Sequence, residues 1–261
     1  MLPFIQKYIL EIVPYKRACI EAFIMIRSIR FVLLMVIITS CATNNSASEK
    51  IEKAIEAHGG YTAFQEIENF RYLKRTYSIN DEGIVTDTLA QFLYHESVNH
   101  TQLQYQRSDT LFVAEDRKGI ISLTINDLPI KDPNTLNSQR KLIEAANYIF
   151  FQPFKLRDPN AVLNPAGLKR LNLSGKLKEV EVIAVAYPDS DDKWYFFFDS
   201  KTHKVVANAV NHNGKMSLIT NDAMQWHQGL LVHKTRTSYL SNADFELIRP
   251  QASYEYEMVS E

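Results

Sequence analysis

Lys193-Trp194-Tyr195-Phe196-Phe197-Phe198-Asp199 places five consecutive aromatic residues between two charges. A run this short, bounded by polar residues and made of rings, reads as a β-strand, because bulky flat side chains fit a pleated surface. Successive side chains of a strand point to opposite faces, so Trp194, Phe196 and Phe198 share one side and Tyr195 and Phe197 the other. Both faces are therefore apolar, as expected where one packs on a helix and the other lines a cavity or a second layer. A plain double-sided core accounts for the same positions equally well.

Outward from this strand the chain alternates extended runs with turn signals. Upstream, Glu179-Val180-Glu181-Val182-Ile183-Ala184-Val185-Ala186-Tyr187 is a strand, followed by the polar turn from Pro188 to Lys193. Downstream come residues 204–211, the Asn213-Gly214 pair, residues 215–220, 230–239 and 252–259. Asn-Gly between extended runs marks a hairpin, since both residues accept positive φ. The middle departs from this rhythm. From Ser138 to Phe151, Leu142, Ile143, Ala146, Ile149 and Phe150 recur at helical spacing, and Pro153 stops the helix. Pro153, Pro159 and Pro165, with Asn160, Asn164 and Gly167, make residues 152–171 read as a long structured loop. A helix and loop set into a meander are expected to cover the open end of a curved sheet or the mouth of a pocket.

Before that insertion lie the extended runs 71–79, 86–94, 101–106, 110–115 and 119–125, with turns at Asn80-Asp81-Glu82-Gly83 and Asp116-Arg117-Lys118-Gly119. Two short helices precede them. Ile51, Ala54, Ile55 and His58 repeat at helical spacing after Ser46, and Gly59-Gly60 ends that helix. A second helix begins at Thr62 with Gln65 in the capping-box position and Phe64 and Ile67 facing inward. These extended runs and about three helices, without βαβ alternation or a repeat, predict an α+β fold: one strongly curved antiparallel sheet around a few helices.

The N-terminus carries an address. Phe31-Val32-Leu33-Leu34-Met35-Val36-Ile37-Ile38 follows Arg27 and Arg30 and runs into Thr39-Ser40-Cys41. Eight apolar residues are too few to span a bilayer, which needs about 20, and match the core of a signal peptide. Residues 1–40 are thus read as upstream sequence and export signal, with Met25 the preferred start, 41–48 as a tether, and 49–261 as a single domain. Cys19 and Cys41 are the only cysteines, so processing at Cys41 leaves no disulfide. With 29 Lys and Arg against 30 Asp and Glu and no basic segment, nothing points to nucleic acid.

No GxSxG elbow, HExxH, phosphate-cradling glycine loop or CxxC occurs in the sequence, and no cofactor is implied. The seven histidines fall at no spacing that builds a compact metal site: His95 and His100 have opposite strand parity, His227 and His233 lie six apart, and His203 and His212 sit at or near turns. His58 stands where the helix dipole favours it and where it can satisfy a terminal carbonyl. The cluster Asp189, Asp191 and Asp192 reads as a solvated hairpin tip. Asp109, Asp116 and Asp158 are the carboxylates a hydrolase would have to use, and such chemistry needs two of them across one cleft.

The box Ile38-Thr39-Ser40-Cys41, the helix closing on Ala57-His58-Gly59-Gly60, the segment from Tyr148 to Asp158 and the strand from Lys193 to Asp199 together resemble a family of Bacteroidota lipoproteins related to the LolA/LolB-like superfamily of outer-membrane lipoprotein-sorting proteins. The resemblance implies a LolA-like incomplete β-barrel with an apolar concave face that accepts acyl chains, without catalysis. It also implies acylation of Cys41, by palmitate-like chains, and anchoring to the envelope, in the outer membrane. An anchored chain departs from the freely diffusing carriers of that superfamily. Leu142, Ala146, Ile149, Phe150, Phe154, Trp194, Phe196 and Phe198 are the expected cavity residues, and a hydrophobic ligand or acyl chain the expected partner. The alternatives are a structural or protein-interaction lipoprotein on the same scaffold, docking an envelope protein, and a carboxylate-dependent hydrolase.

Overall fold

The computed structural model describes residues 47–173, 175–188 and 190–259. The readings on the signal segment, on Cys41 and on Asp189 fall outside these residues. Thirteen strands form one antiparallel sheet: β1 (Phe70–Ile79), β2 (Val85–Ser97), β3 (His100–Arg107), β4 (Thr110–Arg117), β5 (Ile120–Ile125), β6 (Leu128–Pro129), β7 (Val162–Leu173), β8 (Lys176–Ala186), β9 (Lys193–Asp199), β10 (Val205–His212), β11 (Lys215–His227), β12 (Leu230–Ser241) and β13 (Leu247–Met258). Their order across the sheet is β6-β5-β4-β3-β2-β1-β13-β12-β11-β10-β9-β8-β7. Two meanders therefore meet at the β1–β13 pair, where Tyr72 lies opposite Met258 and Ser78 opposite Ala252. The sheet does not close, and β6 and β7 are its two edges.

That order dictates where the helices lie. The chain leaves the sheet at one edge, β6, and re-enters it at the other, β7, so the connection has to cross the sheet's width. Helix α3 (Pro133–Phe150, 18 residues) makes the crossing, about 27 Å at 1.5 Å per residue. It begins earlier than the apolar spacing suggested: Asp132 accepts a hydrogen bond from the Thr135 backbone N–H at 2.8 Å, and Pro133 at the first helical position needs no partner for the N–H it lacks. Helix α1 covers residues 47–57, so residues 47 and 48, read as tether, are already helical and Ala47 is buried. Helix α2 (Tyr61–Gln65) starts one residue before Thr62 and takes Gly60 as N-cap without any side-chain cap bond. Phe64 and Ile67 face inward as expected.

The proline-rich stretch after α3 is where the reading as a loop fails. A 3-10 turn (Phe154–Arg157) is followed by β7, which contains both Pro165 and Gly167. Proline fits because β7 is an edge strand with a bulge between Pro165 and Gly167, so no ladder hydrogen bond is lost. This strand and the two-residue β6 are absent from the extended runs read in the sequence, and they complete the thirteen.

The aromatic strand behaves as its alternation requires. Phe196 and Phe198 join the core under the helices, while Phe197 belongs to a second cluster on the opposite face. There the β12–β13 connection folds back, and Phe245 sits 5.0 Å from Phe197 and 5.1 Å from Tyr195 between ring centres. The second layer on that face is a loop and not a sheet.

Candidate ligand-binding face

The concave face is the one the helices cover. Its covered end is a continuous stack of rings: Phe64 lies parallel to Phe154 at 4.9 Å, Tyr72 parallel to Phe150 at 3.9 Å, and Phe150 approaches Tyr256 at 5.4 Å and Phe70 at 5.9 Å. Of the residues expected to line a cavity, Phe150, Phe154, Phe196 and Phe198 are fully buried in this stack. Ala146 and Trp194 are half-buried against it, and Ile149 is half-buried. Leu142 is turned outward, at 37 % exposure. The inward stripe of α3 runs through Gln139, Ile143 and Phe150, and Leu142, one residue from Ile143, is rotated about 100° off it. The expected lining is thus occupied by the protein's own side chains.

The stack does not extend along the whole face. On β1 the inward residues pass from fully buried Phe70 and Tyr72 to half-buried Lys74, Thr76 and Ser78. At this boundary the face turns polar. Lys74 pairs across the ladder with Tyr256 on β13 and Gln91 on β2. Arg236 on β12 lies opposite Tyr254, and its Nη2 donates to Asn208 Oδ1 on β10. Lys74 is half-buried by surface area, yet protein crowds its ammonium. That desolvation, with repulsion from Arg236, draws its pKa down to about 8. Burial pushes the Tyr254 and Tyr256 hydroxyls up. These positions were not singled out from the sequence, although the alternation Phe70, Tyr72, Lys74 puts Lys74 on the ring-bearing face.

The histidines separate into two kinds. His58 closes α1 as its position suggested, its Nδ1 2.7 Å from the Ala54 carbonyl oxygen. His95 Nδ1 lies 3.0 Å from Thr101 Oγ1, and His233 Nε2 lies 3.1 Å from the Ile149 carbonyl oxygen. All three are buried. His100, part-buried, is held between Glu96 and Glu115. Among the described residues, no three His, Cys, Asp or Glu converge as metal ligands.

Burial depresses the imidazole pKa to about 4 at His58, to about 3 at His95, and well below 6.5 at His233. Between pH 6.5 and those values the unfolded chain binds protons the folded chain refuses, so stability falls as the pH falls through that window. Each histidine costs up to about 1.4 kcal/mol per pH unit below 6.5. The thermal midpoint should drop steadily from pH 7 to pH 5, above the main carboxylate range, and His95→Gln should flatten the slope. A midpoint that stays constant over those two units would contradict this.

Two of the carboxylates a hydrolase would need, Asp109 and Asp116, stand at opposite ends of one strand. Asp109 lies in the turn before β4 and Asp116 near that strand's far end, seven residues along. Asp116 accepts from the Gly119 N–H at 2.8 Å and Asp158 from the Asn160 N–H at 2.8 Å, so both serve turns.

No family model and no curated protein matches the chain. Among solved structures, a LolA superfamily protein from Nitrosomonas europaea aligns with a TM-score of 0.53 at 9 % identity, covering 82 % of this chain and 94 % of that one. A protein of the DUF1329 family from Desulfovibrio piger aligns at 0.48 and 9 % identity, over 82 % and 91 %. The fold is LolA-like: a large, curved, unclosed antiparallel sheet with few helices.

Proposed function

We propose that this protein is a lipid-anchored, non-catalytic binder of the bacterial envelope that takes an acyl chain or another hydrophobic ligand on the concave face of its sheet. The observation that carries this reading is the roof over that face. Helix α3 stretches between the two free edges of the sheet, and only Gln139, Ile143 and Phe150 among its 18 residues are buried. Its earlier turns, held by few buried side chains, belong to the low-stability end of the structure and open first, while Phe150 anchors the last turn in the rings. The rings beneath it occupy the space an acyl chain would take. A bound chain gains about 0.8 kcal/mol per buried methylene, so a long one offsets the displacement of a ring or two. Acylation at Cys41, with two or more chains, would hold the domain at the outer membrane.

Mass spectrometry of the full chain extracted from bacterial membranes into amphipol tests both parts. Denaturing conditions should show the covalent acyl mass on Cys41, and native conditions a further, non-covalent lipid. A protein that stays lipid-free in native spectra after incubation with long-chain fatty acid would refute the binder. The protein-interaction reading is favoured by one feature, the exposed Val162, Leu168 and Leu177 on the β7–β8 edge hairpin. Lipid-free spectra with a co-purifying envelope protein would turn the assignment to it.

A further inference from the structure

We infer that Lys74 and Arg236 form a two-cation seat for the oxyanion head of an acyl-chain amphiphile, at the place where the ring stack of the concave face ends. The inference rests on the hydrophobic-ligand reading above and names the chemical class of that ligand.

The geometry brings the two cations to either side of one strand. Lys74 on β1 and Arg236 on β12 flank β13, opposite Tyr256 and Tyr254 respectively. Neighbouring strands are about 4.8 Å apart, so two long side chains leaning inward can serve one small anion. Lys74 does lean: its Nζ lies 5.4 Å from the centre of the Tyr254 ring, over the residue that faces Arg236.

Charge is what singles this pair out. The next cation on β1, Arg75, points to the other face and meets Glu257 at 2.7 Å. Strand β13 presents Glu255 and Glu257 on that outer face but no carboxylate on the inner one, where Ala252, Tyr254, Tyr256 and Met258 lie. Among the described residues, no carboxylate pairs with Lys74 or Arg236. Arg236 is 2 % exposed, and while Nη2 donates to Asn208, its Nε is buried without a hydrogen-bond partner. A buried guanidinium lacking both a counter-charge and a partner for one N–H is costly. An oxyanion held by Arg236 Nε–H and the Lys74 ammonium removes both deficits, and guanidinium with ammonium suits carboxylate and phosphate alike. Half-buried Lys74 and Tyr254 give access from the uncovered end, and the rings beyond receive the tail.

The test measures binding to the full chain in amphipol at pH 7 and low salt, with palmitate, monopalmitoyl phosphate and 1-hexadecanol as probes. Palmitate or the phosphate ester should bind at least about tenfold more tightly than the alcohol, the scale of one charge-assisted hydrogen bond. The tighter of the two identifies carboxylate or phosphate as the natural head. Lys74→Gln, at a half-buried position, should bring the anions down to the alcohol's affinity and leave the alcohol unchanged. Arg236→Gln should do the same, with its thermal midpoint recorded alongside. Equal binding of all three probes, or an anion preference that survives Lys74→Gln, overturns the seat and leaves the hydrophobic reading standing. Binding of none overturns that reading and the seat with it.

Discussion

Phe150→Ala should destabilise the fold by about 3–5 kcal/mol, the range for removing a fully buried phenylalanine ring, and lower the thermal midpoint by roughly 10 °C in a domain of this size. Phe150 is the last residue of α3 and the centre of the ring stack. It lies 3.9 Å from Tyr72, 5.0 Å from Phe151, 5.4 Å from Tyr256 and 5.9 Å from Phe70. Stacked and edge-on pairs add to simple area burial. None of these neighbours can fill the void, since Tyr72, Phe70 and Tyr256 are fixed on paired strands. The same substitution should act in the opposite direction on ligand uptake. If the rings stand where an acyl chain lies when bound, removing one eases displacement, and the variant should retain more lipid than the parent in native mass spectra. A variant that is destabilised but takes up no more lipid would mark the stack as pure core. Leu142→Ala is the control: with its side chain turned outward, it should change neither quantity by much.

How far the sequence discloses this fold depends on whether a feature is local. The alternation from Trp194 to Phe198 is local, and it correctly assigns Phe196 and Phe197 to different cores. The Asn213-Gly214 turn is local as well, and both residues have positive φ. Pro165 misleads because proline argues against a strand unless the strand is an edge, and being an edge is a property of the whole sheet. The start of α3 is hidden for another reason: its first turn, Pro133 to Leu136, holds a single apolar core residue, Leu136, and so shows no apolar periodicity, leaving only the Asp132-Pro133 cap to mark it. The ring positions of the candidate site follow from parity. The Lys74–Arg236 pair does not, since 162 residues of sequence separate two side chains that only the β1–β13 and β12–β13 registers bring to one place.

Gly59→Ala should be the most damaging single-methyl addition in the domain, at roughly 3 kcal/mol or more. Two costs combine. The residue has φ +113°, outside the regions open to L-residues, a strain on the order of 1–3 kcal/mol. A Cβ there would also stand 2.1 Å from the Gly229 carbonyl oxygen, a backbone atom that cannot swing aside as a side chain would. Relief would require the β11–β12 turn to move away from the end of α1, breaking the 2.9 Å hydrogen bond from Leu231 N–H to the His58 carbonyl. Gly60→Ala separates the two costs. Gly60 also has positive φ, +86°, but an added Cβ would meet only the Glu56 side chain, at 3.6 Å, so the conformational part alone should appear, about 1 kcal/mol. Midpoints measured on the two variants should therefore differ by several degrees, and equal losses would mean that α1 does not dock on the hairpin this closely. The distinction bears on how the concave face opens. With α1 pinned at its C-terminal end to the β11–β12 turn by a backbone hydrogen bond and a glycine contact, the movable cover is α3 ahead of its last turn, and displacing it opens a way to the rings while Phe70, Tyr72 and Tyr256 stay on their paired strands.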